Sequence, residues 1–346
     1  MLLLYLFIIL ISFGCLHLIS EYYFIGSLDL IAKRFKITSD IAGSTLMAAG
    51  SSVPELAVVI VAVSKTGQHE GIGIGTIVGS ALFNILMIVG VVMVLYRSKL
   101  VWQPLLRDLV FYSISIGILY LSFRDGSINL LESLSFVVVY GVYVVSMVYW
   151  KKLFPYTNPE RVRHKNPEQP VKKLWVIGKL THRLMKFLPE IKNYFLAFVL
   201  SIIGITAFSW VLVEYAIRIS QILGISEVII GLTILAVGTS IPDLVASVIV
   251  TRQGRPGMAI NNAIGSNIFD ILIGFGLPWF VVLLLTTKTI NVDNSNLTTS
   301  MSLLAGSLIL LVSTFIITKW QTKKLIGGLL IFLYLSYLIY EIVNAL

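Results

Sequence analysis

The sequence predicts an all-α polytopic membrane protein, with ten transmembrane helices arranged as two inverted-topology five-helix repeats. Three observations carry that prediction. Hydrophobic residues make up 57% of the 346-residue chain, charged residues only 12%, and the mean hydropathy is +0.92, outside the range of soluble globular proteins. Apolar runs of about 18 residues or more recur along the chain, and in hydrocarbon they must be helices, because each backbone donor and acceptor has to be satisfied within its own segment. Two stretches of the first half recur in the second at a nearly constant offset. A β-barrel is excluded, since it would show alternating segments of roughly ten residues.

The ten spans read as 2–32, 39–64, 71–95, 105–123, 129–150, 193–217, 226–251, 257–287, 297–318 and 325–344. The first apolar run, Leu2 to Ser20, has no basic leader and no small-residue cleavage pattern, so it reads as a retained span. Cys15 lies inside it as the single cysteine and can form no internal disulfide. Between spans five and six runs a polar linker, 151–192, marked as irregular by Asn158-Pro159 and Asn166-Pro167 and holding eleven of the 26 Lys and Arg. Basic residues collect in cytoplasmic loops, which places the linker inside and both termini outside. The other loops agree. Those assigned inside hold Lys33, Arg34, Lys36, Arg97, Lys99, Arg107, Arg252, Arg255, Lys319, Lys323 and Lys324, and those outside only Lys65, Arg124, Arg218 and Lys288. The net charge of +9 is therefore an orientation signal, with a contribution from anionic lipid headgroups, and no sign of nucleic-acid binding.

The repeat divides the chain into 1–150, the linker 151–192, and 193–346. GSTLMAAGSSVPELAVVIVA from Gly43 matches GLTILAVGTSIPDLVASVIV from Gly231 at an offset of 188, with Gly50, Ser52, Pro54 and Leu56 recurring as Gly238, Ser240, Pro242 and Leu244, and Glu55 opposite Asp243. Further on, GTIVGSALFNIL from Gly75 meets NAIGSNIFDIL from Asn262 at an offset of 186, and Asn84 faces Asp270. Five spans per half is an odd number, so the second copy is upside down. Inverted repeats with sites at their interface are the plan of many secondary transporters.

The polar residues inside these spans are the candidates for function. A carboxylate at the bilayer centre costs at least ~2.5 kcal/mol, so intramembrane acids normally face a polar cavity. Glu55, Asp243 and Asp270 fall deep in their spans. Pro54 and Pro242 remove a helical hydrogen bond and displace the carbonyl four residues back, at Gly50 and Gly238. Hydroxyls at Ser51, Ser52, Thr239 and Ser240 share a helix face with Glu55 and Asp243. Ser80 with Asn84, and Ser266 with Asp270, are each four apart and make further polar stripes, while Gly71, Gly75 and Gly79 form a ridge that admits a neighbouring helix. Oxygen donors without sulfur or imidazole suit hard cations such as Ca²⁺ and Na⁺, not zinc or copper.

Plainer readings compete with this one. Ser52-Val53-Pro54-Glu55 also fits an ordinary helix start with a capping box, though its recurrence in opposite orientation inside the membrane favours a site built on a half-helix. Gly73-Ile74-Gly75 lacks the strand and further glycine of a dinucleotide fingerprint. His17, His69, His164 and His182 are scattered and structural or solvated, and Glu21, Asp108, Glu132, Glu214 and Glu341 lie near span ends, within reach of headgroups or water.

The motifs AAGSSVPEL, GTIVGSALFNIL, GTSIPDL and GSNIFDIL resemble the paired alpha repeats of the calcium/cation antiporter superfamily, and most of all its potassium-dependent sodium/calcium exchangers. The close match covers roughly 42–90 and 230–279, and the ten-span plan agrees over the whole length. The resemblance implies an alternating-access antiporter, not an enzyme, in which entering Na⁺ expels Ca²⁺ with K⁺ involved and no prosthetic group. It implies ligand oxygens from Ser51, Ser52, Glu55, Ser80, Asn84, Thr239, Ser240, Asp243, Ser266 and Asp270, with backbone carbonyls near Ala48 and Ala236. Asp at position 270 is associated with potassium dependence, where animal exchangers lacking that dependence carry Asn. The chain departs from the animal potassium-dependent members in having only 151–192 in place of a long regulatory loop, which puts loop-based calcium regulation in doubt and suggests a prokaryotic inner membrane. The partners implied are inorganic cations and membrane lipid; oligomeric state is left open. The alternatives are a proton-coupled Ca²⁺ antiporter, a passive cation channel and an intramembrane protease; the hydroxyl and amide surroundings of the acids disfavour the protease.

Overall fold

The computed structural model describes residues 1–19, 48–64, 69–156, 194–252, 254–286, 290–291 and 294–345, with Tyr23, Ser27 and Leu30 as single positions. The later part of the first predicted span, the start of the second, and the linker from 157 lie outside the described residues. In chain order the helices are α1 (Leu2–Ile19), the short α2 (Ala48–Ser51), α3 (Val53–Ser64), α4 (Glu70–Leu95), α5 (Trp102–Ser122), α6 (Leu130–Leu153), α7 (Tyr194–Leu223), α8 (Glu227–Thr239), α9 (Ile241–Arg252), α10 (Pro256–Leu285), α11 (Asn294–Ile317) and α12 (Lys324–Ala345). Their starts follow local chemistry. Asn129 and Glu132 exchange side-chain and backbone bonds of 2.9 and 3.0 Å in a capping box at α6, the Ser226 hydroxyl caps α8, and Pro256 opens α10.

Among the described residues six helices are long and apolar enough to cross a membrane, namely α4, α5, α6, α7, α10 and α12; α8 and α9 make a seventh if taken as one span bent by 43°. Shorter apolar helices cover Leu2–Leu16, Val53–Ser64 and Met301–Ile317. The most apolar stretch of α4 is 83% buried within the protein and that of α6 only 22%, so α4 is central and α6 peripheral. The outer helices turn Val138, Val142, Leu200, Ile203 and Trp210 outward, as a chain solvated by lipid requires.

Helices α4 and α8 cross at almost backbone contact. A Cβ built on Gly79 would stand 2.5 Å from the Leu232 carbonyl oxygen and 2.6 Å from Ala236 Cβ, and one on Gly231 would meet the Ile72 carbonyl at 2.6 Å. The ridge expected on α4 thus seats helix α8, by the small-residue logic of membrane helix pairs. Gly90 on α4 and Gly327 on α12 repeat the device; a Cβ on Gly327 would reach the Gly90 carbonyl at 2.5 Å. Helices α1 and α7 form a separate apolar layer with α3 and α8 through Ile9, Leu16, Val58, Val61, Leu212 and Ile230.

Two small clasps join loops from the two halves of the chain, features that hydropathy does not announce. Strands β1 (Ser127–Ile128) and β2 (Ile290–Asn291) pair antiparallel, with Ser127 opposite Asn291. Elsewhere Leu100 N–H donates to the Trp320 carbonyl at 2.8 Å, and Thr322 N–H to the Ser98 carbonyl at 2.9 Å. Replacing Gly79 by Leu should therefore separate α4 from α8 and lower stability by about 3 kcal/mol or more. Thermal unfolding in detergent reads this, and a melting temperature within a degree or so of the parent would contradict the close crossing.

Candidate functional site

The site is built where two helices stop and restart. The α2–α3 junction falls at Ser52 and the α8–α9 junction at Ser240, positions related by the repeat. Each junction residue stays bonded on both sides: Ser52 N–H donates to the Ala48 carbonyl at 3.0 Å and its carbonyl accepts from Leu56 N–H at 3.1 Å, while Ser240 N–H donates to the Ala236 carbonyl at 3.2 Å and its carbonyl accepts from Leu244 N–H at 3.1 Å. These bonds bear on how the carbonyls near Ala48 and Ala236, which the resemblance implies as ligands, are engaged. Both oxygens already accept a helical bond, and Ala48 O also accepts from Ser51 Oγ at 3.2 Å; since a carbonyl has two lone pairs, only Ala236 O keeps one unused by these bonds.

A second irregularity accompanies each break. Within α4 residues Phe83–Ile88, and within α10 residues Asp270–Phe275, are π-helical, so a widened turn sits at Asn84 and at Asp270. Such bulges cluster at functional sites because they re-aim side chains. The periodicity of a uniformly apolar span does not reveal one extra residue in a turn, and the sequence reading missed both. A third π segment, Gly231–Leu235, lies in α8 just before the break.

The breaks and bulges bring the candidate residues together. Glu55, Asp243 and Asp270 are buried, as are Ser51, Ser52, Ser80, Asn84, Thr239, Ser240 and Ser266. Ser240 Oγ donates to Glu55 Oε1 at 3.1 Å, joining the two repeats, and Ser266 Oγ donates to Asp243 Oδ1 at 3.1 Å. Asn84 Nδ2 donates to Asp243 Oδ2 at 3.4 Å. Ser51 Oγ lies 3.5 Å from Ser266 Oγ. The three carboxylates interact electrostatically with one another, and Asp270 faces the hydroxyls of Ser52 and Ser80. Ser80 Oγ donates to the Ile77 carbonyl and Thr239 Oγ1 to the Leu235 carbonyl, both at 3.0 Å, which leaves each hydroxyl oxygen open as an acceptor.

Several oxygens in this cluster have no hydrogen-bond partner: Glu55 Oε2, both Asp270 oxygens, Asn84 Oδ1 and Ser52 Oγ. Buried acceptors left in this way cost about 1–3 kcal/mol each, and more when charged. No three His, Cys, Asp or Glu side chains among the described residues close up into a metal cage, so a cation here would need the hydroxyl and amide oxygens as well as the acids. Among the described residues no salt bridge involves Glu55, Asp243 or Asp270.

Asn267 is the residue that the sequence reading left out. Its Oδ1 accepts from Asn84 Nδ2 at 2.9 Å and its Nδ2 donates to the Ala81 carbonyl at 3.0 Å, so it ties α10 to α4 and turns Asn84 Oδ1 away from its own donors. The signal was available: Asn267 follows Ser266 in GSNIFDIL, where the first repeat has Ala81, and a fully buried amide in a membrane helix requires a partner. Asp108, read as an acid with access to headgroups, is instead fully buried. It accepts from Arg107 Nε at 2.7 Å and from Tyr143 Oη at 3.1 Å, a neutralised pair joining α5 to α6. His69 bonds Glu227 at 2.9 Å and stands apart from the cluster, as does Glu214 with its ion pair to Arg218.

Residues 4–149 and 193–343 match the sodium/calcium exchanger protein family. The chain is 26% identical to sodium/potassium/calcium exchanger 1 of Gallus gallus across 95% of its own length and 77% of the relative's. It is 31% identical to sodium/potassium/calcium exchanger 5 of Homo sapiens across 80% of this chain and 70% of that one. In fold it is similar to the sodium-calcium exchanger NCX_Mj, with a TM-score of 0.60 at 22% identity, covering 97% of this chain and 98% of that chain. The chain belongs to the sodium/calcium exchanger protein family, as an integral membrane cation antiporter of the calcium/cation superfamily that stands with its potassium-dependent branch.

Proposed function

We propose that the chain exchanges Na⁺ for Ca²⁺, with K⁺ involved, by alternating access around the cluster of Glu55, Asp243 and Asp270. The observation that carries this reading is the set of unpartnered buried oxygens, Glu55 Oε2, Asp270 Oδ1 and Oδ2, Asn84 Oδ1 and Ser52 Oγ, gathered from both halves of the chain. Every one is an oxygen, which fits a hard cation with a flexible coordination shell. Ser51, Ser80, Thr239, Ser240 and Ser266 complete the proposed ligand set, with Ala236 O and, less directly, Ala48 O. Fully ionised, the three acids carry a charge that one Ca²⁺ with one K⁺ would balance, as would three Na⁺.

The transport cycle in this reading uses the ten-span inverted plan, with 1–150 and 193–346 as repeats and the linker 151–192 on the cytoplasmic side. Burial of the whole cluster supports a state closed to both faces. Opening then requires the interrupted helices of one repeat to move relative to the other, and the Ser240–Glu55 bond across the repeats lies directly in that path.

Vesicles loaded with Na⁺ should accumulate radioactive calcium when diluted into sodium-free medium, and Glu55→Ala or Asp243→Ala should abolish uptake while expression persists. Calcium uptake driven by pH and indifferent to sodium would move the assignment to a proton-coupled antiporter, and rapid flux without coupling to a channel. Asp270→Asn should remove the dependence of exchange on external K⁺; a potassium response equal to the parent's would remove that residue from the role given it. Asn267→Ala should weaken calcium binding about tenfold, near 1.4 kcal/mol, by freeing the Asn84 amide; titration calorimetry on the purified protein checks it, and unchanged affinity would make Asn267 a link between helices only.

A further inference from the structure

We infer that the ion reaches the site from one face along a polar ladder between α9 and α10, formed by Ser247, Thr251 and Asn262. The inference rests on the ion-binding reading given above and extends it to a route. On α9 the series Asp243, Ser247, Thr251 advances four residues at a time, and on the antiparallel α10 the series Asp270, Ser266, Asn262 does the same in reverse. Residues four apart share a helix face, so the two series run alongside each other. The contacts bear this out: Ser266 Oγ to Asp243 at 3.1 Å is the first rung, and Asn262 Nδ2 to Ser247 Oγ at 3.5 Å is the second. Asn262 also interacts with Asp243, so the ladder is continuous with the site. Its far end, at Thr251, lies one residue before Arg252 and beside the turn bearing Arg255.

Two observations separate this ladder from ordinary helix-pairing contacts. First, it is buried yet unsatisfied: Thr251 Oγ1 and Asn262 Oδ1 have no hydrogen-bond partner. Groups placed only to hold two helices together would bond each other, since in hydrocarbon nothing else is there to bond. Second, the other repeat has no such ladder. The positions equivalent to Ser247 and Thr251 are Val59 and Val63, both in the apolar core, and the position equivalent to Asn262 is Thr76, whose hydroxyl is spent on the Ile72 carbonyl at 2.7 Å. Val59 packs against Gly73, where a Cβ would lie 3.3 Å from Val59. One half-path is lined with spare oxygens; its inverted counterpart is dry and closely packed. Spare acceptors replace hydration water for a cation leaving bulk solvent, which valines do not.

Thiol accessibility tests the route. In a Cys15→Ala background, Ser247→Cys and Thr251→Cys should react with a membrane-impermeant cationic methanethiosulfonate added on the Arg252 and Arg255 side only, more slowly in saturating Ca²⁺, while Val63→Cys stays inert from both sides. A second variant avoids reliance on labelling: Thr251→Val should slow exchange about tenfold, a barrier increase near 1.4 kcal/mol, with calcium affinity unchanged by calorimetry. If the thiols at 247 and 251 are as inert as that at 63, or Thr251→Val exchanges at the parent rate, the route is wrong. Calcium binding by the same preparations keeps that failure distinct from a failure of the site itself, which would appear as no binding in the parent.

Discussion

Three carboxyl groups without basic partners in a low-dielectric interior are the constraint on which the rest of this molecule depends. Glu55 accepts from the Ser240 hydroxyl, Asp243 from the Ser266 hydroxyl and the Asn84 amide, and Asp270 faces the Ser52 and Ser80 hydroxyls without a close bond to either. At an effective dielectric of about 20, like charges a few ångströms apart repel by a few kcal/mol per pair, and no basic side chain among the described residues pairs with any of them. The chain shows how it treats an acid meant to stay neutralised: Asp108 is held by Arg107 and by the Tyr143 hydroxyl. That the central acids lack such a partner is what makes a mobile cation the natural counter-charge.

The helix geometry follows from that need. A straight membrane helix presents only side chains, whereas a break also delivers backbone oxygen and turns the following acid inward. The price is a gap in backbone bonding, tolerable only where protein encloses it. Helices α4 and α10 supply the enclosure. The glycines of α4 let α8 approach to backbone contact, and α10 packs along α9 and against α2, so both junctions are covered. The π segments of α4 and α10 then set Asn84 and Asp270 toward them. Close packing and polar exposure are therefore coupled, and one without the other would leave either a leak or an unfilled void.

Much of this was legible in the sequence because the signals were categorical. An acid, a proline and paired hydroxyls in a span of otherwise apolar residues stand out at once, and their recurrence at Ser240 to Asp243 turned a local oddity into a pattern. The glycine ridge was readable for the same reason, since spacing by four on a helix has one geometric meaning. What escaped was whatever depends on a partner distant in sequence. Asn267 acquires its role from Asn84, the clasp of β1 with β2 from pairing across the chain, and Asp108 looked exposed only because its neighbours on α6 were unknown. The π-helical turns escaped differently: uniform hydrophobicity around them carries no phase, so a one-residue shift leaves no trace in composition.

The duplication also explains why the two halves need not behave alike. In the proposed inverted plan the two repeats face different solutions, and identical linings would make the two half-paths energetically equivalent. Here the residues that contact one another near the centre have stayed similar in kind, serine with serine and glutamate with aspartate, because both halves must present oxygen to the same point. Outward from the centre that shared demand disappears. Val59 and Val63 lie in a packed apolar wall, whereas Thr251 and Asn262 keep polar atoms without full satisfaction. Buried polarity that does not improve packing is costly, so its retention on one side only points to work done in motion rather than at rest.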